Sequence, residues 1–288
     1  MTFSIVAYSR DEQAWGVAVA SKFLAAPAVV SWARASAGAV ATQAFAKVSF
    51  GADGLALMAG GLSAEEMLAK LLSTDEDAED RQVGVVDAKG NAAAHTGEDC
   101  FDYKGHLVGE GFTCQGNILV GRQVLEEMAS AYRSASGELA DRLIVALLAG
   151  DRAGGDRRGR QSAGVLVVKE NGGYGGDNDR YIDLRVDDHP DPVMRLRELA
   201  KLHHLYFGKS EVSTRIPIDK TIASELQGLL KHLGHYGGAI NGMWDETTKD
   251  AFWELVGVEN LEERWSPDDH AELIDPVVLD FLRERFPK

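Results

Sequence analysis

The chain has 288 residues, is 45% hydrophobic, and carries 45 acidic against 30 basic residues for a net charge of −15. That length and apolar content predict two domains or one large one, with a sizeable core. The acidic field argues against non-specific nucleic-acid or anionic-membrane binding. There is no charged-then-apolar leader or membrane-length apolar run, so a cytoplasmic location is expected.

In chain order, Phe3, Ile5 and Ala7 alternate with Ser4, Val6 and Tyr8, then a polar turn at 9–13 leads into the small, apolar run Trp15 to Ala20. This reads as a hairpin of core strands. Pro27 interrupts the stretch after Lys22, and Ala37 to Phe45 reads as another small-residue strand. Helices are expected over Gly51 to Gly60 and Ser63 to Leu72, the second opened by a Ser63/Glu66 capping box with Leu62 as staple. Gln82 to Asp87 and Asn91 to His95 form a hairpin, and His106 to Gly111 and Phe112 to Asn117 are further extended pieces. Helices follow at Arg122 to Arg133 and Leu139 to Ala149, then a Gly- and Arg-rich loop, the strand AGVLVV, a strand at Tyr181 to Val186, and a helix to about Phe207.

The order of strands and helices predicts an α+β fold with two stacked sheets and helices outside, a four-layer α/β/β/α sandwich. The expected division is a first domain at 1–208, a linker at 209–217, and a small three-helix domain at 218–288. The helices of that second domain are expected at Thr221 to Leu233, Glu246 to Val256 and Asp275 to Phe286.

Thr2 reads either as an ordinary β-branched strand residue behind an initiator Met or as a nucleophile. Removal of Met1 would put a Thr hydroxyl and an α-amine of pKa about 7.7 to 8.0 in one residue, nucleophile and base together, on a rigid strand. His95 at a strand end is either a general base or a hydrogen-bonded structural residue. Arg157, Arg158 and Arg160 can capture a carboxylate or phosphate, or pair with Asp151, Asp156, Asp177 or Asp179. The acidic tract from Asp177 to Asp191 lacks calcium-loop spacing, so no metal or other cofactor is expected. Cys100 and Cys114 are too few for a disulfide framework or a four-thiolate zinc site; they read as buried thiols or as cross-strand neighbours.

Two resemblances extend this reading. TFSIVAYS, WGVAVASKF, GAVATQAFA, QVGVVDAKGNAAAHTG, CQGNIL, GGDRRGRQSAGVLVV and DNDRYIDLRVDDHPDPV resemble the bacterial domain of unknown function 1028. That family looks like a branch of the N-terminal-nucleophile hydrolases. The resemblance implies Thr2 as nucleophile, Lys22 or Arg34 as the cation beside it, and Asp156 and Ser162 as supports for its amine. It also implies Gln115, Gly116 and Asn117 as lining of the site, with the Asn117 amide at the oxyanion. Arg157, Arg158 and Gln161 would then bind substrate, with His95 a further candidate. Where proteasome-type relatives carry an Asp at the end of the second strand, this chain has Ser21-Lys22.

The stretch ELQGLLKHLGHYGGAINGMWDETTKDAFWEL resembles a small peptidoglycan-binding domain, with Asn241 in place of the common Asp. The implied activity is an amidohydrolase for a small amide or peptide. The alternative is a catalytically silent sandwich serving as a binding or scaffold protein. The expected partners are that substrate and a peptidoglycan fragment, with the chain as a homo-oligomer.

Overall fold

The alternation at the start of the chain becomes β1 (Thr2–Ser9), which pairs antiparallel with β2 (Ala14–Ser21), Phe3 facing Ala20 and Ser9 facing Ala14. The computed structural model describes residues 2–208 and 211–287. After β2 come α1 (Ala26–Val30), β3 (Ser31–Arg34) and β4 (Gly38–Ala44). Neither α1 nor β3 was expected from the sequence. Pro27 does not break this stretch; it sits in the first turn of α1, where its missing N–H has no helical partner to lose.

The chain continues through α2 (Ser49–Ala59), α3 (Ala64–Leu72), β5 (Arg81–Asp87), β6 (Ala92–Thr96), β7 (Gly105–Gly109) and β8 (Phe112–Asn117). The expected capping box opens α3: Ser63 Oγ accepts from Glu66 N–H, and the Glu66 carboxylate accepts from Ser63 N–H. Then follow α4 (Gln123–Ser134), α5 (Leu139–Arg152), β9 (Ser162–Lys169), β10 (Arg180–Val186) and α6 (Pro192–Phe207).

The strands form two antiparallel sheets. One is ordered β10-β9-β2-β1-β8-β7, the other β3-β4-β5-β6. Strand alternation divides the side chains among three cores. Phe3, Ile5 and Val165 of the first sheet pack with Leu125, Met128, Leu143 and Leu147 of α4 and α5. The opposite face of the same strands supplies Val6, Val17 and Val19, which pack with Ala39, Ala41 and Val86 of the second sheet. Val40, Val83 and Val85 point the other way from that second sheet, onto Phe50, Met58, Met67 and Leu68. Cys100 and Cys114 are both buried free thiols, and desolvation pushes the Cys114 thiol well above its ordinary range.

The contacts divide the chain into Met1–Ala200 and Lys201–Lys288. This division falls inside α6, ahead of the 209–217 segment expected as a linker; Lys209 and Ser210 of that segment lie outside the described residues. In the second unit, β11 (Ile216–Pro217) pairs with β12 (Leu273–Ile274). Around that ribbon lie α7 (Lys220–Leu233), α8 (Glu246–Val258) and α9 (Pro276–Arg285), each capped by an Asp side chain: Asp219, Asp245 and Asp275. Their apolar stripes close over Trp265, Phe252 and Leu230.

The small residues of β2 reflect a close helix crossing. A Cβ on Gly16 would lie 2.7 Å from Leu143 Cδ1 and 3.2 Å from the Leu166 carbonyl. Gly16→Ala is therefore expected to lower stability by about 1–3 kcal/mol through overpacking. Chemical denaturation measures this; an unchanged midpoint would contradict the close approach of α5.

Candidate functional site

Strand alternation turns Thr2, Ser4 and Val6 toward the second sheet. Thr2 is buried and pairs with Asn117 of β8. Its Oγ1 lies 3.1 Å from Ser21 Oγ at the end of β2. Ser21 in turn pairs with Ser162, the fully buried first residue of β9. Register thus lines up Asn117, Thr2, Ser21 and Ser162 across four adjacent strands. Met1, whose removal would free the Thr2 amine, lies outside the described residues.

The second sheet answers this row with amides. Gln43 accepts from Ser4 Oγ at 2.7 Å and donates to Gln82 Oε1 at 2.8 Å, with longer approaches to the carbonyls of Thr2 and Gln115. Gln82 Oε1 also accepts from Asn117 Nδ2 at 2.9 Å, and Gln82 Nε2 donates to the Gly116 carbonyl at 2.8 Å and to Thr96 Oγ1 at 3.0 Å. Gln115 Nε2 donates to Ser4 Oγ at 2.6 Å. Gly84 lets these side chains approach its backbone: a Cβ there would meet Gln115 Oε1 at 2.1 Å and Thr113 Oγ1 at 2.6 Å.

Beside Thr2 opens a cavity of about 390 Å³. Thr2 and Gln43 line it together with Phe23, Val29, Val30, Phe45 and Arg81. Among the described residues Arg81 is the one charged side chain on its wall, and its guanidinium is committed. Nε donates to Asp75 Oδ2 at 2.7 Å, Nη2 to Asp77 Oδ2 at 2.9 Å, and Nη1 to the Phe45 carbonyl at 2.7 Å. Lys47 adds a second cation to Asp75 at 3.0 Å. The Arg81 hydrogen bonds, reinforced by Lys47, hold the Asp75 carboxyl down at about 2.

The expected site residues separate into those brought to Thr2 and those placed elsewhere. Gln115 and Asn117 join the amide network. Asp156 and Ser162 act on the segment beside the cavity. Asp156 accepts from the Lys22 backbone N–H at 2.7 Å and the Arg158 backbone N–H at 2.8 Å. Ser162 Oγ donates to the Phe23 carbonyl at 2.6 Å and accepts from Ala26 N–H at 3.1 Å. Together they fix residues 22–26, from which Phe23 and Ala26 wall the cavity.

Among the described residues, neither expected cation makes a hydrogen bond to Thr2. The Lys22 side chain is exposed, and its backbone is what the site uses. Arg34 pairs with Gly38 beside the β3–β4 turn, five residues along β4 from Gln43, which is about 17 Å of strand. The position facing Thr2 from the second sheet is the neutral Gln43. His95 is also displaced: it pairs with Val83, whose side chain faces α2 and α3, and its Nε2 contacts the Ala78 carbonyl at 2.9 Å. Arg158 pairs with Asp156 and Arg160 with Asp151. Gln161 donates to Asp188 at 3.2 Å, and Arg157 uses its backbone N–H on the Ile118 carbonyl. Among the described residues, no group of three or more His, Cys, Asp or Glu is arranged to hold a metal ion.

Residues 2–196 match a family whose description is "Family of unknown function (DUF1028)". The chain belongs to that family. Residues 206–282 match a second family model, described as "Putative peptidoglycan binding domain". A solved DUF1028 structure, protein SPO2555 from Silicibacter pomeroyi, is 30% identical and superposes with a TM-score of 0.64. The match covers 70% of this chain and 89% of that one. No curated protein matches the chain.

Sequence reasoning missed Ser21, Gln43, Gln82 and Arg81. A signal for the glutamines was present: each interrupts a strand otherwise made of small or β-branched apolar residues, in AVATQAF and RQVGVV.

The Asp75 cluster carries a pH signature. A carboxyl depressed in the fold contributes stability that is complete above its unfolded value near 4 and is lost as pH falls toward 2. Asp75→Asn should therefore be less stable than the parent chain at neutral pH, with the gap closing below about pH 4. Denaturation at stepped pH checks this; a gap independent of pH would contradict it.

Proposed function

We propose that the first unit is an amide hydrolase of the N-terminal-nucleophile type, with Thr2 as nucleophile after Met1 is removed. The observation that carries this reading is the placement of the Thr2 hydroxyl at a cavity, at the first position of a core strand, and in contact with Ser21. The order of helices, sheet, sheet and helices supports it as the α/β/β/α layering of such enzymes.

In this mechanism the Thr2 α-amine takes the hydroxyl proton as Oγ1 attacks the amide carbonyl carbon. Collapse of the tetrahedral intermediate breaks the C–N bond, and the leaving amine carries the proton away. Water then adds to the ester, with the same amine as base, and releases the acid and Thr2. Ser21 orients the hydroxyl. Asn117 and nearby backbone N–H groups hold the oxyanion, each donor contributing about 2.7–4 kcal/mol by analogy with other acyl-transfer sites.

The cavity walls fit an apolar acyl group. Phe23, Val29, Val30 and Phe45 form them, and the charge of Arg81 is met by Asp75 and Asp77. This reading replaces acidic substrate capture by Arg157 and Arg158, since Arg158 is tied to Asp156.

Intact mass of the protein from its native host should show loss of Met1; complete retention of Met1 would overturn the mechanism. In a screen of small amides, Thr2→Ala should lower turnover by about 10⁴-fold and leave the fold unchanged, while Thr2→Ser keeps part of the rate. Equal turnover by Thr2→Ala would move the site elsewhere.

The second family match favours a separate role for the second unit, the binding of peptidoglycan fragments. A groove of about 690 Å³ runs along α7 and α9, lined by Leu229, His232, Leu282 and Phe286, with the Glu225–Arg283 ion pair on its wall. The full chain should sediment with insoluble peptidoglycan, and the His232→Ala/Phe286→Ala double variant should remain in the supernatant. Equal sedimentation of the two would exclude this groove, and no sedimentation of either would exclude the role.

A further inference from the structure

At the other end of β1 from Thr2, about 20 Å along the strand, lies a second cavity of different character. It measures about 380 Å³ and is lined by Tyr8, Arg10, Lys89, Glu110, Phe112, Tyr132, Arg133 and Arg142 among others. Four cations from four separate elements meet there: Arg10 from the β1–β2 turn, Lys89 from the β5–β6 turn, Arg133 from α4 and Arg142 from α5.

Their pairing sets them apart. Elsewhere in this acidic chain the arginines near the proposed catalytic cavity and its flanking loop are bound to carboxylates: Arg81 to Asp75, Arg158 to Asp156 and Arg160 to Asp151. Among the described residues, none of the four cations here is within ion-pair distance of an acid. Glu110 is the one carboxylate on the wall, so four positive charges stand against one negative.

The two helix-borne arginines are held by rings instead. The Arg142 guanidinium lies 4.4 Å from the centre of the Tyr132 ring, and that of Arg133 lies 5.2 Å from the centre of Phe112. Both rings are buried and belong to the first core. Stacking fixes the plane of a guanidinium and leaves its N–H edges to point outward. Arg142 Nε is buried and has no hydrogen-bond partner, an arrangement that costs stability until an acceptor arrives.

We propose that this cavity is a binding site for a small phosphate-bearing ligand. Like charges gathered in excess of their counter-charge repel one another, and a polyvalent oxyanion removes that repulsion while supplying acceptors to the guanidinium edges. A phosphate group offers three oxygens and close to two charges, against the two oxygens and single charge of a carboxylate, so it matches the excess of three positive charges better.

Inorganic pyrophosphate is the simplest probe. Calorimetric titration of the full chain at low ionic strength should show saturable, single-site binding. Succinate at matched ionic strength should bind at least tenfold more weakly. Arg142→Gln should weaken pyrophosphate binding by about tenfold, as expected for one charge-assisted hydrogen bond. Because Arg142 also packs on Tyr132, the exposed pair Arg10→Gln/Lys89→Gln provides a second variant, expected to weaken binding to a similar degree with an unchanged melting temperature. Absence of saturable binding, equal binding of succinate, or unchanged affinity in the Arg10/Lys89 variant would each overturn the proposal.

Discussion

The first unit depends on a set of side-chain amides closed between two sheets. Gln43, Gln82, Gln115 and Asn117 are all buried, and a buried amide left without partners would cost more than most single apolar contacts return. Each amide nitrogen donates to a neighbour, and Gln115 Oε1 is left without a partner among the described residues. Gln82 takes Asn117 and Gln43 on its oxygen and the Gly116 carbonyl on its nitrogen. A one-residue slip of β1, β4, β5 or β8 within its own sheet would turn that strand's side chains over and leave these groups facing apolar cores. The network therefore fixes the register at which Thr2 meets the second sheet, which apolar packing among Val6, Val17, Ala39 and Val86 alone would specify less sharply.

This explains what could be read from the sequence and what could not. The β1–β2 hairpin, the helices α2 to α5 and the capping box at Ser63 rest on local patterns, and local patterns are visible in a sequence. β3 was not legible, because Ser31–Arg34 is short and only partly buried, and it follows a helix of one turn. The partners of Thr2 were half legible. Asn117 and Ser162 follow from sheet register and from the family resemblance. Gln43 stands 41 residues away, and its approach is a property of how two sheets stack. The expectation of Lys22 or Arg34 came from the family resemblance, whereas the side chain that approaches Thr2 from the second sheet is the uncharged amide of Gln43.

The second unit shows the same device at smaller scale. Gln227 is fully buried on α7, and its amide holds the loop that leads to α8. Its oxygen accepts from Asn241 and Gly242 N–H at 3.0 and 2.9 Å, and its nitrogen donates to the Met243 carbonyl at 2.8 Å. Asn241, which stands where such domains commonly carry Asp, accepts from Met243 N–H through its side-chain oxygen. An Asp could accept that bond too, so the replacement preserves the turn while removing a charge from a protein already strongly acidic.

Asp156 and Ser162 connect these constraints to the site. Both are residue types that the family resemblance linked to an N-terminal amine, yet their hydrogen bonds run to the backbone of Lys22, Phe23 and Ala26. Backbone bonds of this kind set the path of a loop without regard to its side chains. Phe23 can therefore remain exposed at the cavity edge while its carbonyl is held by Ser162. Ser162 sits beside Ser21 in the sheet, and Ser21 touches Thr2, so the residue that shapes the cavity wall is two strands from the hydroxyl facing it. Wall and hydroxyl are then referred to one rigid sheet. That is the condition under which a cavity can hold a ligand against a fixed atom, with no ordering left to be done at binding.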